Sequence, residues 1–142
     1  MLIQAEHYAN PSYIKKYPIL CYETICNKPK QIVGACFWHS FDHQRGYHAD
    51  PFYGGIMDAF RQPKTSYYMF MAQRSPREKV ILIADNGPMI YIAHEITPFS
   101  PTDVTVYSNC EEIRLTVFKG GKEYVYKKDP NHKGMPSPII TF

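Results

Sequence analysis

Apolar and polar positions change period once along this chain, and the change divides it. Met1-Leu-Ile-Gln-Ala-Glu6 is a short apolar run closing on an acid, the pattern of a buried strand that delivers a carboxylate at its C-terminal end. Ile14, Tyr17, Cys21 and Ile25 then recur at three- and four-residue steps and predict an amphipathic helix from Ser12 to Asn27, with Pro18 as an early kink or a late start. Gln31-Ile-Val-Gly-Ala-Cys-Phe-Trp38 is almost wholly apolar, as expected of a parallel strand covered on both faces. Strand, helix and strand in under forty residues make a βαβ unit. Residues 39–55 carry three of the six histidines and three glycines and are too polar and too broken for a regular element, so a functional loop is expected there. A second helix is predicted over Thr65–Gln73, entered just after Pro63 and stopped by Ser75-Pro76-Arg77.

Beyond residue 78 the period falls to 2. Strand-like runs stand at Val80–Ala84, Met89–Ala93, Val104–Tyr107, Ile113–Phe118 and Tyr124–Tyr126, and Pro136–Phe142 reads as a further strand. Turn signals at Asp85-Asn-Gly-Pro88 and Lys119-Gly-Gly121 separate them. The chain is therefore expected to be α+β, with an α/β part over 1–76 and a β-sandwich over 77–142.

Length constrains the first of these parts. At 142 residues the chain is too short to close an eight-stranded α/β barrel, which needs about 250 residues. Hydrophobic residues at 44% and charged residues at 20% are those of a folded protein. The 16 Lys+Arg and 13 Asp+Glu leave a net charge of only +3, spread along the chain, which argues against nucleic acid or an anionic membrane as a partner. No apolar run approaches the ~20 residues that span a bilayer, and no basic leader precedes an apolar stretch at the N-terminus, so a signal peptide is not expected and the compartment is open. Cys21, Cys26, Cys36 and Cys110 form no zinc-type spacing and are expected to be free thiols.

The chemistry-bearing residues gather at the strand ends. Glu6 closes a predicted parallel strand, on the face where ligands of α/β sheets and barrels bind; alternatively it caps a helix or pairs with Lys15 or Arg45. Trp38 closes the adjacent strand and either opens onto the same face or packs in the core. His7, Asn10, His39, Asp42, His43 and His48 could supply donors and acceptors to a polyhydroxylated ligand. A metal held by His39, Asp42 and His43 is disfavoured because no helix frames them, and no GxGxxG, Walker or GxSxG pattern points to a nucleotide or a serine nucleophile. No cofactor is expected.

Three blocks together resemble the C-terminal end of the catalytic barrel of family 2 glycoside hydrolases, the β-galactosidase and β-glucuronidase group. Ile3-Gln-Ala-Glu6-His-Tyr-Ala-Asn10 resembles the strand that presents that family's nucleophile. Gly34-Ala-Cys-Phe-Trp38-His-Ser-Phe-Asp42 resembles its last barrel strand, with Trp38 placed 32 positions after Glu6. Gly55-Ile-Met-Asp-Ala-Phe-Arg61-Gln-Pro63-Lys64-Thr-Ser-Tyr67-Tyr68 resembles the stretch leading into the final barrel helix. The run from Val104 to Phe118 is similar to the immunoglobulin-like domain that follows the barrel. The resemblance implies the C-terminal portion of a (β/α)8 TIM barrel over 1–76, followed by a partial immunoglobulin-like β-sandwich over 77–142. It implies Glu6 as catalytic nucleophile of a retaining β-glycosidase and Trp38, His7, Asn10, His39 and Asp42 as substrate-binding residues. The family's acid/base glutamate has no counterpart here, so the 142 residues are expected to be inactive alone. Phe52-Tyr53-Gly54 stands where glucuronidase-type members carry a cation for the uronate, which favours a neutral sugar. The alternative is a non-catalytic β-sandwich carbohydrate-binding or spacer module with a remnant of barrel attached. Open barrel edges in so short a chain predict self-association.

Overall fold

The computed structural model describes residues 27, 30–31, 39–78, 86–118 and 120–142. The strands expected at 1–6 and 80–84, the helix at 12–27 and the strand at 31–38 lie outside these residues, apart from Asn27 and Gln31, which stand in turns. Two compact units divide the chain, Met1–Met69 and Phe70–Phe142. The described helix, α1 (Thr65–Met71), runs across that division. It begins where Pro63 has already set a helical φ and where the Tyr67 amide donates to the Lys64 carbonyl at 2.9 Å. It ends two residues before the expected Gln73, because the Gln73 and Arg74 amides reach back three residues, to Phe70 and Met71, and tighten the last turn.

Among the described residues of the second unit the alternating pattern yields five strands: β1 (Ile90–Ile92), β2 (Thr105–Ser108), β3 (Glu112–Val117), β4 (Lys122–Lys127) and β5 (Ile140–Thr141). They form an antiparallel three-stranded sheet of order β1-β2-β5 and a separate β3-β4 hairpin. Four of the expected runs are thus strands within one or two residues, and Pro136–Phe142 contributes the short β5. Gly120 and Gly121 turn the hairpin with φ of 115° and 63°, values an L side chain rarely adopts, which is why two glycines stand there.

Period 2 decides which side chains meet. Ile113 and Tyr126 are register partners on one face of the hairpin; Val106 and Ile140 are partners on one face of the sheet. Val106, Ile113 and Ile140 form the buried cluster, with Val104, Cys110, Tyr126 and Phe142 packed against it. Cys110 is a free thiol, as expected. On the hairpin's outer face Glu112, Arg114, Glu123 and Lys127 form an ion-pair network, with Arg114 bonded to Glu112 at 2.9 Å. Hydrogen bonds from Arg114 and Lys127 hold the Glu112 carboxyl below the usual carboxylate range. All four are well solvated, so the network contributes little to stability.

Where the ladder stops, amide side chains take over. Buried Asn109 accepts from the Met89 amide at 2.8 Å and donates to the carbonyls of Gly87 at 2.9 Å and Arg74 at 3.1 Å. Gln73 does the same for Ser137, accepting from its amide and donating to its carbonyl, both at 2.9 Å. Ser108 Oγ donates to the Met89 carbonyl at 2.6 Å and accepts from the Cys110 amide at 3.1 Å. Backbone groups that no strand pairs are satisfied in this way rather than buried bare.

Two outcomes follow. Asn109→Ala strands three backbone groups and should lower stability by about 3 kcal/mol in urea unfolding. Tyr107 is buried and stacked on Tyr91 with ring centroids 6.2 Å apart, and burial, then the Tyr91 phenol, pushes its pKa up to about 12. Because the folded value lies above the unfolded one of about 10, this contribution is intact below pH 10 and lost as pH rises toward 12, by roughly 2–3 kcal/mol. Tyr107→Phe should flatten that alkaline decline in unfolding free energy.

Candidate functional site

The loop of residues 39–64 in the first unit, irregular over the 39–55 for which its sequence predicts a loop, is held by backbone bridges rather than by a sheet. Phe41 pairs with Met57 in parallel sense, His43 with Phe52 and Met57 with Pro63 in antiparallel sense. The Asp42 amide donates to the Met57 carbonyl at 3.0 Å, and the Met57 amide to Ser40 at 3.1 Å. These bonds bring Gly55 against the backbone of 41–42. A Cβ on Gly55 would lie 2.4 Å from the Phe41 carbonyl carbon and 2.5 Å from the Asp42 nitrogen, so only glycine fits.

Asp42 is the centre of this arrangement. Its carboxylate is buried, and Oδ1 accepts from the Lys64 ammonium at 2.5 Å and from the Gly55 amide at 3.0 Å. Lys64 also donates to the Tyr53 carbonyl at 3.2 Å, while its own amide bonds to Ile56 at 3.1 Å. Between them, Asp58 closes a tight turn, accepting at Oδ1 from the Phe60 and Gln62 amides at 2.8 Å each. Arg61 takes a left-handed φ of 66° in that turn and sets its guanidinium 5.4 Å from the centroid of the Phe41 ring. The spacing of Gly55, Arg61, Pro63 and Lys64 has a physical origin here: close approach, turn, helix entry and counter-ion.

Three side chains from the loop collect around Phe52. The His39 and His43 rings lie 4.4 Å apart, and Phe52 meets His39 edge-on at 4.9 Å and His43 at 5.4 Å. Arg45 stands over the Phe52 ring at 5.4 Å, with a buried Nε that has no hydrogen-bond partner among the described residues. Partial burial, then the neighbouring His43 charge, holds His39 below the ordinary imidazole range. A neutral imidazole offers one donor and one acceptor, the complement of a hydroxyl group. His48 serves the loop tip, its carbonyl accepting from Gln44 at 3.0 Å and its Nδ1 from the Asp50 amide at 3.4 Å.

Of the residues singled out in the sequence, His39, Asp42, His43 and His48 are described; Glu6, His7, Asn10 and Trp38 lie outside the described residues. The described geometry gives His39 an aromatic neighbourhood and gives Asp42 a counter-ion. The parts played by Lys64, Gly55, Phe52 and Arg45 were not anticipated from residue type. For Lys64 and Gly55 the available signal was the block from Gly55 to Lys64 itself. Among the described residues no three of His, Cys, Asp and Glu are placed to hold a metal ion, and no helix is long and apolar enough to cross a membrane.

Removing one member of the buried pair leaves an uncompensated charge. Lys64→Met and Asp42→Ala should each cost about 3 kcal/mol in denaturant unfolding, and the double variant less than their sum, as a double-mutant cycle would show. His43→Gln should move the His39 titration midpoint upward in proton NMR, since the second cause of its depression is then gone.

Comparison with known proteins adds one relationship. No family model matches the chain. In an alignment of 117 residues that covers 77% of its length, it is 31% identical to the protein named Beta-galactosidase of Thermoanaerobacterium thermosulfurigenes, and it spans 16% of the length of that curated relative. The chain is therefore related in sequence to a glycoside hydrolase, over a segment about one sixth of that enzyme's length.

Proposed function

We propose that this chain is part of a retaining β-glycoside hydrolase of the β-galactosidase type, acting on neutral sugars of oligo- or polysaccharides. The observation that carries the reading is the 31% identity to a β-galactosidase over most of the chain. The order and spacing of the three sequence blocks support it. So does the Asp42–Lys64 pair, which joins the second block to the third. In this reading residues 1–76 are the C-terminal portion of a (β/α)8 barrel of the family 2 type, and 77–142 begin an immunoglobulin-like sandwich.

The chemistry assigned to Glu6 is nucleophilic. A carboxylate oxygen forms a bond to the anomeric carbon as the glycosidic oxygen leaves, taking a proton from a second carboxylic acid. Water then attacks the same carbon, gives its proton to that second carboxylate, and the bond to Glu6 breaks. In this reading the second acid has no counterpart in the 142 residues, so both steps require more polypeptide than these. Trp38 would supply an apolar platform, and His7, Asn10 and His39 would meet hydroxyls. Asp42, whose Oδ1 already serves Lys64 and Gly55, would meet a hydroxyl through its other oxygen.

The test has two arms. The purified 142-residue chain should give no turnover of aryl β-galactosides, and turnover there would overturn the proposed division of the catalytic pair. A polypeptide that joins this segment to an upstream strand ending in Asn-Glu should hydrolyse the same substrates, with Glu6→Gln lowering kcat by about 10⁴-fold or more. Full activity in Glu6→Gln would leave the non-catalytic binding or spacer module as the better reading.

A further inference from the structure

A second histidine, in the other unit and outside the proposed site, is built into a loop by both ring nitrogens. His94 Nδ1 accepts from the Ile96 amide at 2.9 Å, and Nε2 lies 2.8 Å from the Pro101 carbonyl oxygen. An amide N–H can only donate and a carbonyl can only accept. The ring is therefore the neutral tautomer, with its hydrogen on Nε2 and a lone pair on Nδ1. It braces both ends of the loop, and the middle is tied separately: the Thr97 amide donates to Ser100 Oγ at 3.1 Å, and the Ser100 amide to the Thr97 carbonyl at 3.0 Å.

What the brace holds is unfavourable by itself. Ile96 has a φ of 51°, a left-handed conformation that a β-branched residue adopts only when its surroundings impose it. Ile96 and Phe99 project into water at 79% and 98% exposure. The Ile96 amide that His94 accepts belongs to the strained residue itself, so that bond is what opposes the strain most directly.

We propose that the segment from His94 to Pro101 is a proton-operated latch, closed when the His94 imidazole is neutral and released when it is protonated. The added proton comes from solvent and takes the Nδ1 lone pair. Two N–H groups then face each other where one hydrogen bond stood, and the Ile96 amide turns to water. Ile96 relaxes to a negative φ, and the exposed Ile96 and Phe99 side chains move with the released chain. No acid competes for the ring: Glu95 and Asp103, the acids flanking the loop, form no ion pair with His94 among the described residues, and β2 meets the start of the loop through uncharged Thr105, whose carbonyl accepts from the Ala93 amide at 2.8 Å. Protonation of an imidazole is the charge change that the mildest acidification brings about in a side chain.

The test is an NMR titration of the 142-residue chain from pH 8 to pH 5, following the His94 ring, the Ile96 amide and the Val106 amide. The expected result is one shared midpoint for His94 and Ile96, a fall of roughly fivefold in Ile96 protection against hydrogen exchange after correction for the intrinsic pH dependence, and no change at Val106. His94→Phe should leave Ile96 unprotected at every pH with Val106 still protected. If that variant does not fold, the nitrogen-15 shifts of the His94 ring in the native chain decide the matter, since the latch requires the Nε2-protonated tautomer at pH 8. An Nδ1-protonated ring, an Ile96 amide indifferent to the titration, or loss of Val106 protection together with Ile96 would each overturn the proposal.

Discussion

An ammonium and a carboxylate withdrawn from water must satisfy one another, because each alone would carry a desolvation penalty of several kcal/mol. Lys64 and Asp42 do this across 22 positions of sequence, and the described part of the first unit is arranged around them. The remaining valences of the pair go to backbone: the Gly55 amide to the carboxylate, the Tyr53 carbonyl to the ammonium. One ion pair thus fixes where the loop leaves Ser40, where it returns at Gly55 and where it enters α1. The missing Cβ of Gly55 is a consequence, since the return strand could not otherwise come close enough for its amide to reach Oδ1.

The second unit meets a related demand with neutral groups. Its sheets are short, so many backbone amides and carbonyls fall beyond the ladders. Asn109 and Gln73, each bearing a donor and an acceptor, stand in for the strand neighbours that are lacking. The apolar cluster of Val106, Ile113 and Ile140 supplies cohesion, and the amide clamps set which segments lie beside it. Burial drives both Tyr107 and the Asn109 clamp into the same regime, in which each polar group must be paired or uncharged.

In the glycosidase reading, the loop of residues 39–64 would contribute support more than reactivity. It presents His39 and His43 beside Phe52, and its ion pair keeps that face in place. In the glycosidase reading the loop's chemistry is that of holding a polyhydroxylated ligand, and the bond-making carboxylate comes from elsewhere. The ionic frame suits that task, because a subsite that orients hydroxyl groups must be stiff enough not to follow them.

Period and turn chemistry were enough to read β1 to β4, the glycine turn at 120–121 and α1, since each depends on residues within a few positions of one another. The resemblance of the block from Gly55 to Lys64 was equally visible, though not its cause. Four things came only from the path of the chain in space: Lys64 as the counter-ion of Asp42, Asn109 as a clamp on residues 20 and 35 positions away, Arg45 over Phe52, and His94 as a brace with a defined tautomer. A residue's type states which bonds it can make. Which of them it does make depends on what the fold removes from water and brings within three ångströms, and no local pattern records that.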